Sequence, residues 1–233
     1  MKIEKTFNTT IKDIESRKFN ILIPICVGNR FFLDNTSPTK NISQYLEWAL
    51  ENTKDKVLIL IADKIQISNW VVRNSNVSEE QNMRRLMRRG EKIYENILNL
   101  VNKLPKIQQE KIDVLRWEEY YKKDIYCEEI TKIVYGEFEN NEEFRKKVLE
   151  AVRNSITDRK FSEEEYLTLC NYVLDEFSLV YNGTKIERDY YGLYAYPETD
   201  EVLEFIESVK SKKIFKDLEE KLPEQKISVI LMK

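Results

Sequence analysis

The run KVLILIA, Lys56–Ala62, constrains the fold more than any other stretch of the chain. Its apolar residues follow one another without the alternation expected of a strand with one wet face. A short continuous run of this kind is expected of a strand covered on both faces. Asp63 then ends it. Phe19–Ile25 reads the same way and empties through Cys26 and Val27 into Gly28-Asn29, and Lys111–Leu115 reads as a third strand. Between them lie helical patterns. Ile42, Tyr45, Leu46 and Ala49 recur at helical spacing over about Ile42–Asn52. Ser78-Glu79-Glu80-Gln81 has a capping-box pattern and opens a long helix to about Lys103.

Further helices are predicted at about Glu118–Tyr135, Asn141–Ile156 and Ser162–Val180, the last opened by a second capping box, Ser162 to Glu165. A Tyr-rich strand at Asp189–Tyr196, a helix from about Thr199 to Lys210 and a strand at Ile227–Met232 follow. Strands alternating with helices specify an α/β three-layer sandwich on a mostly parallel sheet. With only 5 Gly and 5 Pro in 233 residues there is little room for a linker, so residues 1–233 are read as one domain. Sheets of this class bind ligands beyond the carboxyl ends of their strands. Cys26, Gly28 and Asn29 would stand at that edge after one strand, and Asp63 after the next.

The chain contains no histidine. Ser–His–Asp and Cys–His machinery is therefore excluded, as are HExxH zinc sites. Proton transfer near neutral pH must fall to Glu, Asp, Tyr, Lys, Cys, water or the substrate. The cysteines Cys26, Cys127 and Cys170 are odd in number and widely spaced, matching neither a disulfide framework nor a zinc site. The opening MKIEKTFNTTIKDIESRKF lacks the apolar segment of a secretory signal, and no run of about 18 apolar residues exists to span a membrane. A cytoplasmic protein without metal or membrane partners is expected.

Four features could carry chemistry. Cys26 is either a small core filler or a strand-end nucleophile, with Gly28 allowing close backbone approach and the Asn29 amide able to donate and accept. Arg84, Arg85, Arg88, Arg89 and Lys92 gather on one helix face, with no acid between Glu80 and Glu91 in a chain of net charge −3. That face is either plain solvated surface or a patch for phosphates. Tyr172 and Glu176, four apart, share a helix face beside the stripe Tyr166, Leu169, Val173, Phe177 and Val180. They are either a boundary pair or a carboxylate base with a tyrosine beside it. The segment ERDYYGLYAYP places Tyr190, Tyr191, Tyr194 and Tyr196 together, and cross-strand packing explains several of them but does not require all.

In this order, the pieces resemble the tRNA-dependent cyclodipeptide synthases. That family has a Rossmann-like domain similar to the catalytic domain of class I tyrosyl- and tryptophanyl-tRNA synthetases. Its first strand ends in a pattern like Gly-Ile-Ser-x-Gly-Asn-Ser-Tyr-Phe, and this chain reads Pro24-Ile25-Cys26-Val27-Gly28-Asn29-Arg30-Phe31-Phe32. The likeness continues through Leu46-Glu47-Trp48-Ala49, the strand ending at Asp63, the arginine-rich helix, Tyr172 to Glu176, and Tyr196-Pro197. The last pair looks like the Tyr-Pro subgroup.

The resemblance implies an enzyme that joins the amino acids of two aminoacyl-tRNAs into a cyclic dipeptide, without ATP, cofactor or metal, and is expected to act as a monomer. One aminoacyl group moves onto the strand-end residue, a second joins it, and the dipeptidyl-enzyme cyclises. Carried over, Cys26 takes the nucleophile's place and Asn29 helps hold the substrate. Tyr172 and Glu176 bind the aminoacyl group, with Glu176 also relaying protons. Tyr196 serves proton transfer and cyclisation, and Tyr126 matches another active-site tyrosine. Arg84, Arg85, Arg88, Arg89 and Lys92 fall where the family binds the tRNA acceptor. Leu22, Pro24, Leu60, Leu179 and Tyr194 fall near the first side-chain pocket, while Gly28 and Asp63 fall at the strand ends and Glu198 and Asp200 near the second pocket.

The departure is Cys26, where the family has serine. A thioester is somewhat uphill from a tRNA ester, but a free thiol with pKa about 8.5 needs less help from a base, and amines attack thioesters readily. A working natural variant, a Ser→Cys substitution and a weakened relative all fit. Outside the enzyme class, a non-catalytic aminoacyl-tRNA-binding protein of the same fold also fits. An ATP-using synthetase fits less well, because no histidine-bearing HIGH motif exists and Val209-Lys210-Ser211-Lys212-Lys213 is a poor KMSKS loop.

Overall fold

The computed structural model describes residues 1–28, 31, 40–156, 158–197, 201–224 and 226–232. In chain order the elements are β1 (Ile3–Phe7), α1 (Ile11–Glu15), β2 (Asn20–Cys26), α2 (Lys40–Asn52), β3 (Val57–Ala62), a 3₁₀ turn (Lys64–Gln66) and α3 (Ile67–Arg73). Next come α4 (Glu79–Val101), α5 (Lys106–Gln109), β4 (Ile112–Arg116), α6 (Trp117–Lys123), α7 (Cys127–Asn140), α8 (Glu142–Ser155) and α9 (Glu163–Asn182). The chain then forms β5 (Thr184–Ile186), β6 (Asp189–Tyr196), α10 (Glu201–Lys210), α11 (Lys216–Glu219) and β7 (Ser228–Met232).

The strands form a seven-stranded sheet in the order β1-β7-β6-β2-β3-β4, with β5 paired to β6. β7, β6, β2, β3 and β4 run parallel, and only β1 and β5 are antiparallel. The continuous apolar runs have the expected cause. Every residue of β3 is buried, because the period-two pleat sends its side chains alternately into two cores. Ile21, Ile23, Ile25, Ile59 and Ile61 pack against α2 and α4, whereas Leu22, Leu58 and Leu60 pack against the layer of α6 to α10. At roughly 1.5–3 kcal/mol per fully buried Leu or Ile, these two faces supply the main drive for the sandwich.

The sheet splits where β2 meets β6. Ile21 N–H donates to Lys56 on the β3 side at 3.1 Å. Backbone N–H groups alternate sides along a parallel strand, so the nitrogens of Asn20, Leu22 and Pro24 face β6. Proline has no hydrogen to donate. Pairing of β2 with β6 ends at Leu22↔Tyr194, whereas its pairing with β3 continues to Cys26↔Ala62. β6 runs on beside β7 to Tyr196↔Leu231. The carboxyl ends of β2 and β6 therefore part, at the position where strand order reverses.

Three differences from the sequence pattern have local causes. The helix predicted over Glu118–Tyr135 is broken between α6 and α7, because Asp124 accepts the Tyr126 and Cys127 N–H groups at 2.9 and 2.7 Å. Asp124 also receives the Thr184 hydroxyl and, at 2.8 Å, the Lys185 N–H, which ties the break to β5. At Ser78 only half of the capping box forms, the hydroxyl accepting from Gln81 N–H at 3.3 Å, whereas Ser162 and Glu165 make both halves. β1 carries exposed residues at its sheet edge, and its IEKTF pattern has too little alternation to signal a strand.

Candidate active site

A cavity of about 710 Å³ opens at the split, with Cys26 and Gly28 from the end of β2 on one side and Tyr196 from the end of β6 on another. Cys26 is partly exposed, and a Cβ placed on Gly28 would sit 3.7 Å from its sulfur, so the thiol and the turn share one space. α9 closes the cavity with Leu169, Tyr172 and Val173, while α3 with the turn before it contributes Gln66, Asn69, Trp70 and Arg73.

Behind Tyr172 and Tyr196 lies a much smaller space that these two residues also line, together with Glu176, Tyr194, Val180 and Leu203. The Tyr194 hydroxyl donates to Glu176 Oε1 at 3.4 Å, and the rings of Tyr194 and Tyr196 lie 5.8 Å apart. Burial holds the Tyr172 phenol well above the ordinary tyrosine range, and the potentials of Glu176, Cys26, Tyr196 and Tyr194 push it the same way. At neutral pH Tyr172 is a neutral hydrogen-bonding group. Thus α9 delivers Tyr172 and Glu176 one turn apart, as their spacing requires, to the strand ends that carry Cys26, Tyr194 and Tyr196.

The cavity wall from α3 was not foreseen. The bidentate pair of Arg73 with Asp158, at 2.6 and 3.2 Å, fixes the guanidinium and lowers the Asp158 pKa. Asn69 donates to Gln66 Oε1 at 2.8 Å, while the buried Gln66 Nε2 has no partner among the described residues. In a helix of only seven residues the spacing of Trp70 and Arg73 gave no periodic signal to read.

Other predicted residues sit elsewhere. Leu22, Pro24, Leu60 and Leu179 are buried and line neither space; the leucines belong to the core packed against α6 to α10. Val180, Val202, Leu203 and Ile206 provide apolar wall instead. Tyr126 stands at the start of α7, partly buried against that core and outside the cavity. Asp63 is fully buried and held by Arg116 at 2.7 Å and by Lys64 N–H at 2.7 Å, so it organises the strand end without facing the cavity. Asn29, Glu198 and Asp200 lie outside the described residues.

The basic side chains of α4 are exposed, with Leu86, Ile93 and Ile97 buried on the opposite face. Arg84 does have an acidic partner, Glu80, at 2.5 Å. Arg85, Arg88, Arg89 and Lys92 have no ion pair among the described residues. Arg89 reaches a second opening of about 330 Å³ that shares Gly28, Trp70 and Arg73 with the main cavity. No described helix is long and apolar enough to cross a membrane.

The chain folds as a Rossmann-like α/β sheet with its cavity at the strand-order reversal. No family model matches the sequence, and no curated protein is close enough in sequence to count as a relative. Solved structures do share the fold. A cyclodipeptide synthase from Staphylococcus haemolyticus is 21% identical with a TM-score of 0.66, the match covering 98% of this chain and 99% of that one. One from Candidatus Glomeribacter gigasporarum, bound to Phe-tRNAPhe, is 17% identical with a TM-score of 0.55, over 92% and 88% of the two chains. A Plasmodium falciparum tryptophanyl-tRNA synthetase is 13% identical with a TM-score of 0.51, covering 94% of this chain and 53% of its own. The fold is thus that of cyclodipeptide synthases, which are described as related to type I tRNA synthetases.

Proposed function

We propose that this protein is a tRNA-dependent cyclodipeptide synthase of the Tyr-Pro subgroup in which Cys26 carries the acyl group. The observation that supports this most is the meeting of Cys26, Tyr172, Glu176, Tyr194 and Tyr196 around one split in a sheet of this fold. The sulfur of Cys26 attacks the ester carbonyl of one aminoacyl-tRNA; the C–O bond to the ribose breaks, and the thiol proton ends on the departing ribose hydroxyl. The amine of the resulting thioester attacks the ester of a second aminoacyl-tRNA, releasing that tRNA and leaving a dipeptidyl thioester. Its free amine then closes on the thioester carbonyl, giving a 2,5-diketopiperazine and restoring the thiol.

Each step moves one proton from a nucleophile to a leaving group. Glu176, which lines the smaller space behind Tyr172 and Tyr196, would relay that proton, with Tyr194, Tyr196 and the neutral Tyr172 holding the amine and carbonyl groups. No ATP is needed, because the ester of aminoacyl-tRNA already carries the activation. The basic face of α4 would hold the acceptor stem by its phosphates.

The test is incubation with the full set of aminoacyl-tRNAs, read by mass spectrometry. The expected result is a diketopiperazine together with an aminoacyl adduct on Cys26 that is lost in Cys26→Ala. Absence of product and adduct, in the parent and in Cys26→Ser, overturns the assignment. Binding of charged tRNA without product would favour a non-catalytic binding protein.

A further inference from the structure

We infer that Trp70, with Arg89 and Arg73 beside it, forms a cradle for the 3′-terminal nucleotide of the tRNA, the indole stacking on its base. The inference rests on the proposed aminoacyl-tRNA substrate and adds a binding role to a residue outside the acyl-transfer chemistry.

The geometry is that of two joined spaces. The main cavity holds the thiol, and the second opening leads from it toward the basic helix; Gly28, Trp70 and Arg73 line both. Arg89 lines the second opening, so it is the point at which the phosphate-seeking face of α4 reaches the route to Cys26. An ester placed at the sulfur puts the terminal ribose in the main cavity. The attached base and phosphate then have the adjoining second opening to enter, where Arg89 joins Arg73 on the wall.

Trp70 suits a base. It is only partly buried, packed on one side against the core below α4, and its indole meets no other ring or cation among the described residues. A partly exposed indole lining the same opening as two arginines is a setting in which single-stranded nucleotides are held by stacking and charge without reading sequence. Asp158 holds Arg73 in place on the same wall, and Arg89 has no acidic partner among the described residues, leaving its charge for a phosphate.

The test crosses two changes. Binding of uncharged tRNA, intact or lacking its terminal adenosine, is measured for the parent, Trp70→Leu and Trp70→Phe, with circular dichroism confirming the fold. Loss of the adenosine should weaken parent binding roughly 5- to 150-fold. Trp70→Leu, which keeps apolar packing, should bind both tRNAs with nearly equal affinity, and Trp70→Phe should retain most of the discrimination. Equal losses in the parent and Trp70→Leu, or no loss in the parent, overturn the cradle. If diketopiperazine is still made, only the cradle falls; if the parent neither binds tRNA nor makes product, the proposed function falls with it.

Discussion

Arg116 Nε lies 2.7 Å from Oδ2 of Asp63, and that carboxylate has no exposed surface. The same guanidinium reaches Glu91 and, at 3.1 Å, the Met87 carbonyl, so β3, β4 and α4 are joined at one point beside the cavity. α4 approaches so closely there that a Cβ on Gly90 would sit 2.3 Å from Asp63 Oδ2. Removing one partner from a buried pair leaves an uncompensated charge. Arg116→Met should cost about 3–5 kcal/mol in urea unfolding. Gly90→Ala should also destabilise, since the atom in its way belongs to a buried carboxylate anchored at both oxygens. Parent-like stability in Arg116→Met would mean that Arg116 is not what compensates the buried Asp63 carboxylate.

The three thiols should differ sharply in reactivity. Cys127 and Cys170 are buried, and desolvation pushes their pKa values up to about 11 and about 12. Near pH 8 a thiol of pKa 11 is ionised to roughly one part in a thousand, and the thiolate is the reactive form. Cys26 is partly exposed at the cavity. Brief treatment of the native protein with iodoacetamide should label Cys26 alone, as read by peptide mass spectrometry. Comparable labelling of Cys127 would contradict the packing around α7.

Glu176→Gln keeps the shape of the side chain and removes its capacity to relay protons. Turnover should fall by about 10²- to 10⁴-fold while tRNA affinity stays within about twofold of the parent. A parallel loss of binding and thermal stability would make Glu176 a packing residue of α9.

Much of this was legible in the residues, for reasons that separate what was read from what was missed. The β2 and β3 runs announce strands buried on both faces, and the true capping box at Ser162 fixes the start of α9, hence the phase that aims Tyr172 and Glu176. Leu22 and Leu60 were expected at a side-chain pocket. The pleat that makes their strands continuous apolar runs turns both into the core instead. Asp63 follows a strand whether it binds a ligand or an arginine, and nothing local distinguishes the two; the deciding residue, Arg116, lies at the end of the next strand, 53 residues away in sequence. Trp70 escaped because its helix is too short to carry a period.

The basic face of α4 should be measurable one charge at a time. Single alanine substitutions at Arg85, Arg88, Arg89 and Lys92 should each weaken tRNA binding and flatten the log–log salt dependence by up to about one unit. Arg84 is already paired with Glu80, although an exposed i,i+4 pair is weak, so its substitution should matter less. An unchanged salt slope across the set would show that nucleic acid is held elsewhere.

Asp175 neighbours Glu176 on α9 and offers a pH-dependent test of the packing behind the site. Its Oδ1 accepts the Tyr135 hydroxyl at 3.0 Å. Burial raises its pKa, and the tyrosine bond offsets only part of that effect. A carboxyl whose folded pKa exceeds its unfolded value favours the protonated native state. Its stabilising contribution is full below the unfolded carboxylate range and is lost as pH rises through the folded value. At neutral pH the ionised Asp175 therefore costs stability, and Asp175→Asn removes that cost while keeping an acceptor for Tyr135. The variant should unfold at a higher temperature than the parent at neutral pH, with the gap closing as pH falls through the carboxylate range. A variant less stable at neutral pH would mean that the carboxylate charge is compensated after all, and that the wall behind Glu176 is held by an ionic contact.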